Sequence, residues 1–432
     1  MPRKPRKRLL KLASLLFLLA VALTSCQTEK REATEETVTI VFKHGKLAGG
    51  PEALRAILAR FEAENPDIKV KDEVLPASTD EQHQFYVINL EAGSPEFDVF
   101  SMDVIWVEEF ARAGWLRPLD GIFPPEERED FFAGPISAVT YQGSVYAIPW
   151  YIDAGLLYYR KDLLEKYSMP VPRTWQELVS TAKLIMEKEK DIYGFIWQGK
   201  QYEGLVCNVM EYMWSRGGGL IDEDGRFNAL KKENIEALQF IYDLIHTYRV
   251  SPPLVTTAME ETTRHIFGSG RAIFMRNWPY AWKIFEREGS AVKGKVGVTV
   301  LPAFEGYSSA ATLGGWQLGV NRYSPHPEAA ERLVRYLTSY EVQKEMSIKM
   351  GYRPPRRSLY KDEELRSAQP FIVELYPVFE RARPRPETPY YMMITQVLQP
   401  EFSAAITGLK SPEEALRSIQ RQVEYILKLE ER

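Results

Sequence analysis

The sequence predicts an α/β fold in two lobes. Runs with strand character take turns with segments of helical period, the alternation expected of a doubly wound, mostly parallel sheet. The chain has 432 residues, more than the roughly 250–300 at which one hydrophobic core stops growing. Its composition of 45% hydrophobic, 26% charged and 12% aromatic residues is that of an ordinary globular protein. Disordered, collagen-like and coiled-coil classes are therefore excluded.

In chain order, VTIVF (38–42) is β-rich and is followed by a helix with Leu54, Ile57, Leu58 and Phe61 on one face. IKVKDEV (68–74) alternates as a strand, residues 80–92 return to helix, and FDVFSM (97–102) is a third strand. Ile105, Trp106, Glu109 and Phe110 fit a short helix. A second cycle begins with VYAIPWYI (145–152) and GLLYYR (155–160). Thr174 and Glu177 have capping-box spacing, opening a helix that buries Leu178, Ala182 and Ile185. IYGFIW (192–197), AIFM (272–275), KVGVTVLP (295–302) and GWQLGV (315–320) read as strands, with helices at about 201–215, 232–248 and 259–268. From 327 onward the pattern is nearly all helical, and Ser411-Pro412-Glu413-Glu414 opens the last helix.

The N-terminus reads as an address. Arg3, Lys4, Arg6, Lys7, Arg8 and Lys11 precede the apolar run Leu12 to Leu23, the layout of a secretory signal peptide (1–25). That run is short of the roughly 20 apolar residues that span a bilayer. Leu23-Thr24-Ser25-Cys26 looks like a bacterial lipobox, which marks Cys26 for lipidation. Cleavage there leaves 407 residues, and the loss of six positive charges moves the formal charge from −4 to −10. Such a charge speaks against a nucleic-acid partner. Residues 26–37 are polar and without apolar period, as a flexible tether would be. Cys207 is then the one remaining thiol, so an intrachain disulfide is ruled out, and its apolar setting predicts a buried, inert side chain.

Enzyme motifs are absent: there is no HExxH, GxSxG, Walker loop or strand-adjacent GxGxxG. His44, His83, His246, His265 and His326 have no metal-ligand spacing, so neither a metal nor a cofactor is expected. Asp222, Asp224 and Gly225 hint at a calcium loop, but Arg226 and Phe227 stand where it needs a carboxylate and a glycine, so a tight turn is expected. A glycoside hydrolase carries no short consensus and stays open. The positive signal is aromatic. IPWYIDAG (148–155), RNWPYAW (276–282) and LGGWQLG (313–319) set Trp and Tyr beside Gly, Pro and carboxylates at strand ends. Sugars present apolar C–H faces rimmed by hydroxyls, and they call for flat rings flanked by charged hydrogen-bonding groups.

DVFSMDVIW (98–106), PWYIDAGLLYYRKDLLEKY (149–167), WQGKQYEGLVC (197–207), RNWPYAW (276–282), KGKVGV (293–298), SAATLGGW (309–316) and RPETPYY (385–391) carry a resemblance. The chain resembles the extracellular solute-binding proteins of sugar ABC transporters, most closely the trehalose/maltose-binding ones, from about Val38 to the C-terminus. That resemblance implies a two-lobed periplasmic-binding-protein-like α/β fold, each lobe a mostly parallel sheet flanked by helices, with the ligand cleft between them. It assigns 38–149 plus about 303–355 to lobe 1, and 150–302 plus about 356–432 to lobe 2. It implies no chemistry but binding of an α-linked disaccharide by a monomer. That monomer is anchored by its lipid to the bacterial cell membrane, in a periplasm or on an outer surface, and serves separate permease and ATPase chains.

Carried over motif by motif, Asp103 accepts sugar hydroxyls from the first lobe. Tyr151 and Asp153 form a Tyr-x-Asp pair near the first crossing, on the second-lobe side. Trp278 and Trp316 are stacking platforms, with Tyr280 and Trp282 as neighbours. Gly314 and Gly315 offer backbone contacts, and Arg385 reaches sugar hydroxyls from the second lobe. Two stretches depart from the family. His83 and Gln84 stand where relatives carry an arginine pair, and KHGKLAGGPEAL (43–54) differs from the first sugar-contacting loop, with Glu52 as its candidate carboxylate. Lys43, His44 and Lys46 there suggest a positive edge, so a charged sugar such as a glycosylated acid remains an alternative ligand.

Overall fold

The computed structural model describes residues 37–47, 50–222, 224–369 and 371–430. The leader, Cys26 and most of the tether lie outside the described residues. The strands are β1 (Val38–His44), β2 (Ile68–Val74), β3 (Val99–Asp103), β4 (Thr140–Tyr141), β5 (Ser144–Val145), β6 (Ile148–Ala154), β7 (Leu156–Arg160), β8 (Tyr193–Ile196), β9 (Ala272–Asn277), β10 (Val296–Thr299) and β11 (Leu313–Val320). They form a five-stranded sheet in the order β2-β1-β3-β11-β6, a four-stranded sheet in the order β10-β7-β9-β8, and the β4–β5 hairpin.

Each large sheet anchors its own hydrophobic core, and helices cover them, so two lobes are present. Parallel pairing is confined to β1–β2, β1–β3 and β8–β9. Strand β11 runs antiparallel between β3 and β6, and β7 pairs antiparallel with β9 and β10. Both sheets are therefore mixed, where the sequence pattern predicted mostly parallel ones. The reason is topological: β11 returns from the other lobe instead of from a helix in its own, so no right-handed crossover dictates its direction. Strand β6 spans the expected 149/150 boundary and stays in the first sheet through Ala154, so Tyr151 and Asp153 belong to the first lobe and not to the second-lobe side where they were expected. Gly155 alone separates it from β7 of the second sheet.

Burial explains the strand sequences. All six residues of the inner strand β9 are buried, and so are all seven of β6, an edge strand whose open side is covered by the segment around Arg353, whose carbonyl accepts the Ile152 N–H at 2.9 Å. β2 lies at an edge, and its exposed residues include Lys69 and Lys71, charges that discourage further pairing. The expected capping box is present in helix Trp175–Lys188: Glu177 N–H donates to Thr174 Oγ1 at 3.1 Å and Thr174 N–H to Glu177 Oε2 at 3.1 Å. Ser411 and Glu414 exchange the same two bonds at the start of helix Pro412–Glu430. Asp222 forms a turn in which its Oδ1 accepts from the Asp224 and Arg226 N–H groups. Among the described residues, no helix is long and apolar enough to cross a membrane.

Candidate ligand-binding site

Three neighbouring strands of the first sheet place most of the expected residues side by side. Trp316 on β11 is paired with Asp103 on β3 and, across the other edge, with Tyr151 on β6. Gly314 is paired with Asp153. The β11–β6 register shifts between Trp316 and Gln317, a bulge of the kind that re-aims a side chain. Gly315 has φ +125°, and a Cβ there would collide with the Tyr151 carbonyl, so this position requires glycine. A Cβ on Gly314 would lie 3.3 Å from both the Asp153 Cβ and the Trp278 ring, which places Trp278 over that glycine.

The second lobe contributes Trp278 and Arg385. Trp278 follows β9, its indole Nε1–H donating to Glu260 Oε1 at 3.2 Å and its carbonyl accepting from Tyr158 at 2.7 Å. Arg385, 3% exposed, donates from Nη2 to Asp103 Oδ1 at 3.0 Å and from Nη1 to Glu203 Oε1 at 2.8 Å. One guanidinium thus joins a carboxylate on the first sheet to one on a second-lobe helix. Eight of the nine residues expected around the ligand, all except Glu52, lie in this one cluster. Glu52 stands exposed in the first turn of helix Pro51–Glu64, and among the described residues no hydrogen bond or ion pair joins it to the others.

Over residues 45–344 the chain matches the family described as bacterial extracellular solute-binding protein. The chain belongs to that family. A probable ABC transporter-binding protein of Deinococcus radiodurans is 38% identical over 366 residues, 83% of this chain and 86% of the relative. Among solved structures, maltose-bound MalE3 of T. maritima is 44% identical, with TM-score 0.87 over 90% of this chain and 99% of that one. An ABC transporter solute-binding protein of Thermotoga lettingae bound with α-D-tagatose is 28% identical, with TM-score 0.81 over 90% and 99%. The GacH receptor of Streptomyces glaucescens, solved unliganded and with acarbose, is 26% identical, with TM-score 0.82 over 90% and 98%.

Other residues of this solute-binding protein join the cluster without having been expected there. Glu203 opens helix Glu203–Trp214, buried at all twelve positions, and also accepts from Tyr391 at 2.7 Å and from the Thr395 hydroxyl. Asp80, at the start of helix Thr79–Glu91, lies within electrostatic reach of Glu203 and Asp103; burial first and Glu203 second push its carboxyl up to about 6. Tyr151 stacks near Tyr352 at 4.1 Å between ring centroids. Trp106 meets Trp316 edge to face at 5.6 Å. The available signal was charge on an apolar helix: Glu203 and Glu211 sit in EGLVCNVMEYMW, and each must be paired when such a helix is buried all round.

His83 bonds Glu109 at 2.7 Å, stacks on Phe110 and meets the Trp106 ring at 5.5 Å between centroids, whereas Gln84 is exposed. Of the departures from the family, His83 therefore abuts the aromatic wall of the cluster and Gln84 does not. The anticipated positive edge is reduced to the exposed Lys46. Lys43 pairs with Glu73, and His44 is buried with burial pushing its pKa down. Trp282 packs against Phe371 at 4.5 Å, and Tyr280 donates to Glu261.

Asp153 is buried, its Oδ1 has no hydrogen-bond partner among the described residues, and burial pushes its carboxyl up to about 8 against the pull of Arg353. Cys207 is buried and free, as expected, and burial raises its thiol pKa. A pocket of about 210 Å³ adjoins Arg385, with Glu108, Ser137, Thr140 and Glu387 in its wall. None of the aromatic rings of the cluster lines it.

Proposed function

We propose that this protein is the sugar-binding component of an ABC importer. It takes an α-linked disaccharide of the trehalose or maltose type between its lobes and presents it to separate permease and ATPase chains. The observation that carries this reading is the convergence of Trp278, Trp316 and Tyr151 with Asp103, Asp153 and Arg385 where the lobes meet. Flat rings match the C–H faces of pyranoses, and the charged groups match their hydroxyl rims. The 44% identity to a protein solved with maltose supports the ligand class. The family's fold supports binding by lobe closure, with ligand favouring the closed state.

Charge favours a neutral sugar over a glycosylated acid. Arg385 is already paired with Asp103 and Glu203, and Asp80 lies within electrostatic reach of both carboxylates, so an anionic ligand meets net repulsion there. The relatives named above are binding proteins, which supports a role without chemistry. The lipobox at Leu23 to Cys26 supports a lipid anchor outside the cytoplasm. For the lobes we propose 38–154 with about 303–355, and 155–302 with about 356–432, the first boundary moved from 149/150 because β6 stays in the first sheet through Ala154.

A thermal-shift panel on the chain lacking residues 1–26 tests the reading with trehalose, maltose, sucrose, glucose and a glycosylated acid. Ligand at 100 times its dissociation constant adds about 2.7 kcal/mol, a shift of several degrees. Stabilisation by trehalose or maltose is the expected result. Stabilisation by the acid alone would overturn the ligand assignment, and turnover of either disaccharide would overturn the binding-only role.

A further inference from the structure

Apart from the residues expected to touch ligand, one buried ion pair sits where three parts of the fold meet. Glu211, in helix Glu203–Trp214, accepts from Arg276 Nε at 2.9 Å and Nη2 at 2.6 Å, the two side chains being 2% and 1% exposed. Its Oε1 also accepts the N–H of Thr312, the residue that leads into β11, at 3.2 Å. Gly155, between β6 and β7, packs so closely that a Cβ there would collide with the Glu211 carboxylate. The pair therefore touches the chain at two points where it passes between the sheets. The Arg276 guanidinium carbon lies 3.8 Å from the centroid of the Trp278 ring, within cation–π range. Gln198 fixes Arg276 further, accepting from Nη1 at 3.3 Å and donating to its carbonyl at 2.9 Å.

Stability alone is a poor reason for this arrangement. A buried ion pair replaced by apolar residues of similar volume is often neutral or better for stability, because desolvation offsets the Coulomb attraction. What the pair provides that an apolar pair lacks is direction: a planar fork anchored on one carboxylate, with its face on an indole.

We propose that Glu211 and Arg276 are positioning residues that fix the plane of Trp278 relative to both chain passages, so that the stacking surface and the interlobe geometry are set together. The part of this that concerns ligand affinity rests on the sugar-binding reading above. Trp278 then has two lateral restraints, the Glu260 hydrogen bond and the Gly314 backbone, and one facial restraint, Arg276.

The test compares Arg276→Lys with the double variant Arg276→Met/Glu211→Leu, which removes both charges, fills the volume and keeps the fold accessible should the lysine form be unstable. The Trp278 contribution to near-ultraviolet circular dichroism is first isolated as the difference between the parent and Trp278→Leu. Both variants should lose at least half of that band with the far-ultraviolet spectrum unchanged. They should also weaken maltose binding at least tenfold by calorimetry at 25 °C, yet less than twofold in the Trp278→Leu background. An intact Trp278 band in both variants would overturn the proposal. So would equal losses of affinity with and without Trp278, because a merely structural pair acts regardless of the indole. If the parent binds no sugar while the variants lose the band, the sugar reading fails and the positioning role stands.

Discussion

At the level of single residues, Asp103 and Asp153 have opposite roles although both are buried carboxylates of one sheet. Asp103 is paired with Arg385 and also accepts from the Ile105 N–H at 3.3 Å, so a turn-forming bond and an interlobe ion pair coexist in one side chain. Asp103→Ala leaves the Arg385 charge with Glu203 only, and sugar affinity should fall by about 2–3 kcal/mol, or 30- to 150-fold, as read by calorimetry. Asp153 is held up near 8 by burial, while the unfolded chain titrates near 3.9. The folded state thus keeps a proton that the unfolded state releases. Its contribution is full below about pH 4 and is lost as pH rises toward 8, at up to about 1.4 kcal/mol per pH unit. Urea melts of the parent minus those of Asp153→Asn should decline steadily from pH 5 to 8. A flat difference would show that the carboxyl is ionised throughout. These two aspartates were legible in the sequence because they sit in distinctive motifs. Glu203 and Asp80 were not, since a carboxylate in an apolar or polar helix says nothing of which neighbour will pair with it.

Secondary-structure elements were the most legible scale, because period and caps are local. Thr174, Glu177, Ser411 and Glu414 sit in capping boxes, and β2 occupies the 68–74 run read from its alternation. Thr174→Ala should cost about 1 kcal/mol, seen as a melting-point drop of a few degrees with ligand affinity unchanged. Strand direction was illegible. Nothing within LGGWQLGV states that it runs antiparallel to FSMD, since its direction is decided by where the chain returns from. The two glycines of that strand are nevertheless informative. Gly315→Ala places a methyl against the Tyr151 carbonyl at φ +125°, and it should both lower the melting point and weaken sugar binding at least tenfold by shifting Trp316. Binding at parental strength would mean that the bulge between Trp316 and Gln317 absorbs the change.

For the whole molecule, the two-lobed plan followed from length and family resemblance, whereas the contacts between lobes did not. Arg385 to Asp103 joins the two lobes, and Arg112 lies 4.2 Å from the Tyr390 ring, so the lobes touch in this structure. Small-angle scattering should record a smaller radius of gyration on adding maltose if closure accompanies binding. An unchanged radius in the presence of a thermal shift would mean that the ligand enters lobes already closed. The strand order also has a kinetic consequence. β11 lies between β3 and β6 but is made about 210 residues after β3 and about 160 after β6. Until residue 320 has left the ribosome, the first sheet lacks its inner strand and β3 and β6 have no common partner. Contacts so distant in sequence form slowly. That delay suits the export proposed above, because the chain stays threadable through a secretion channel until nearly three quarters of it has been synthesised.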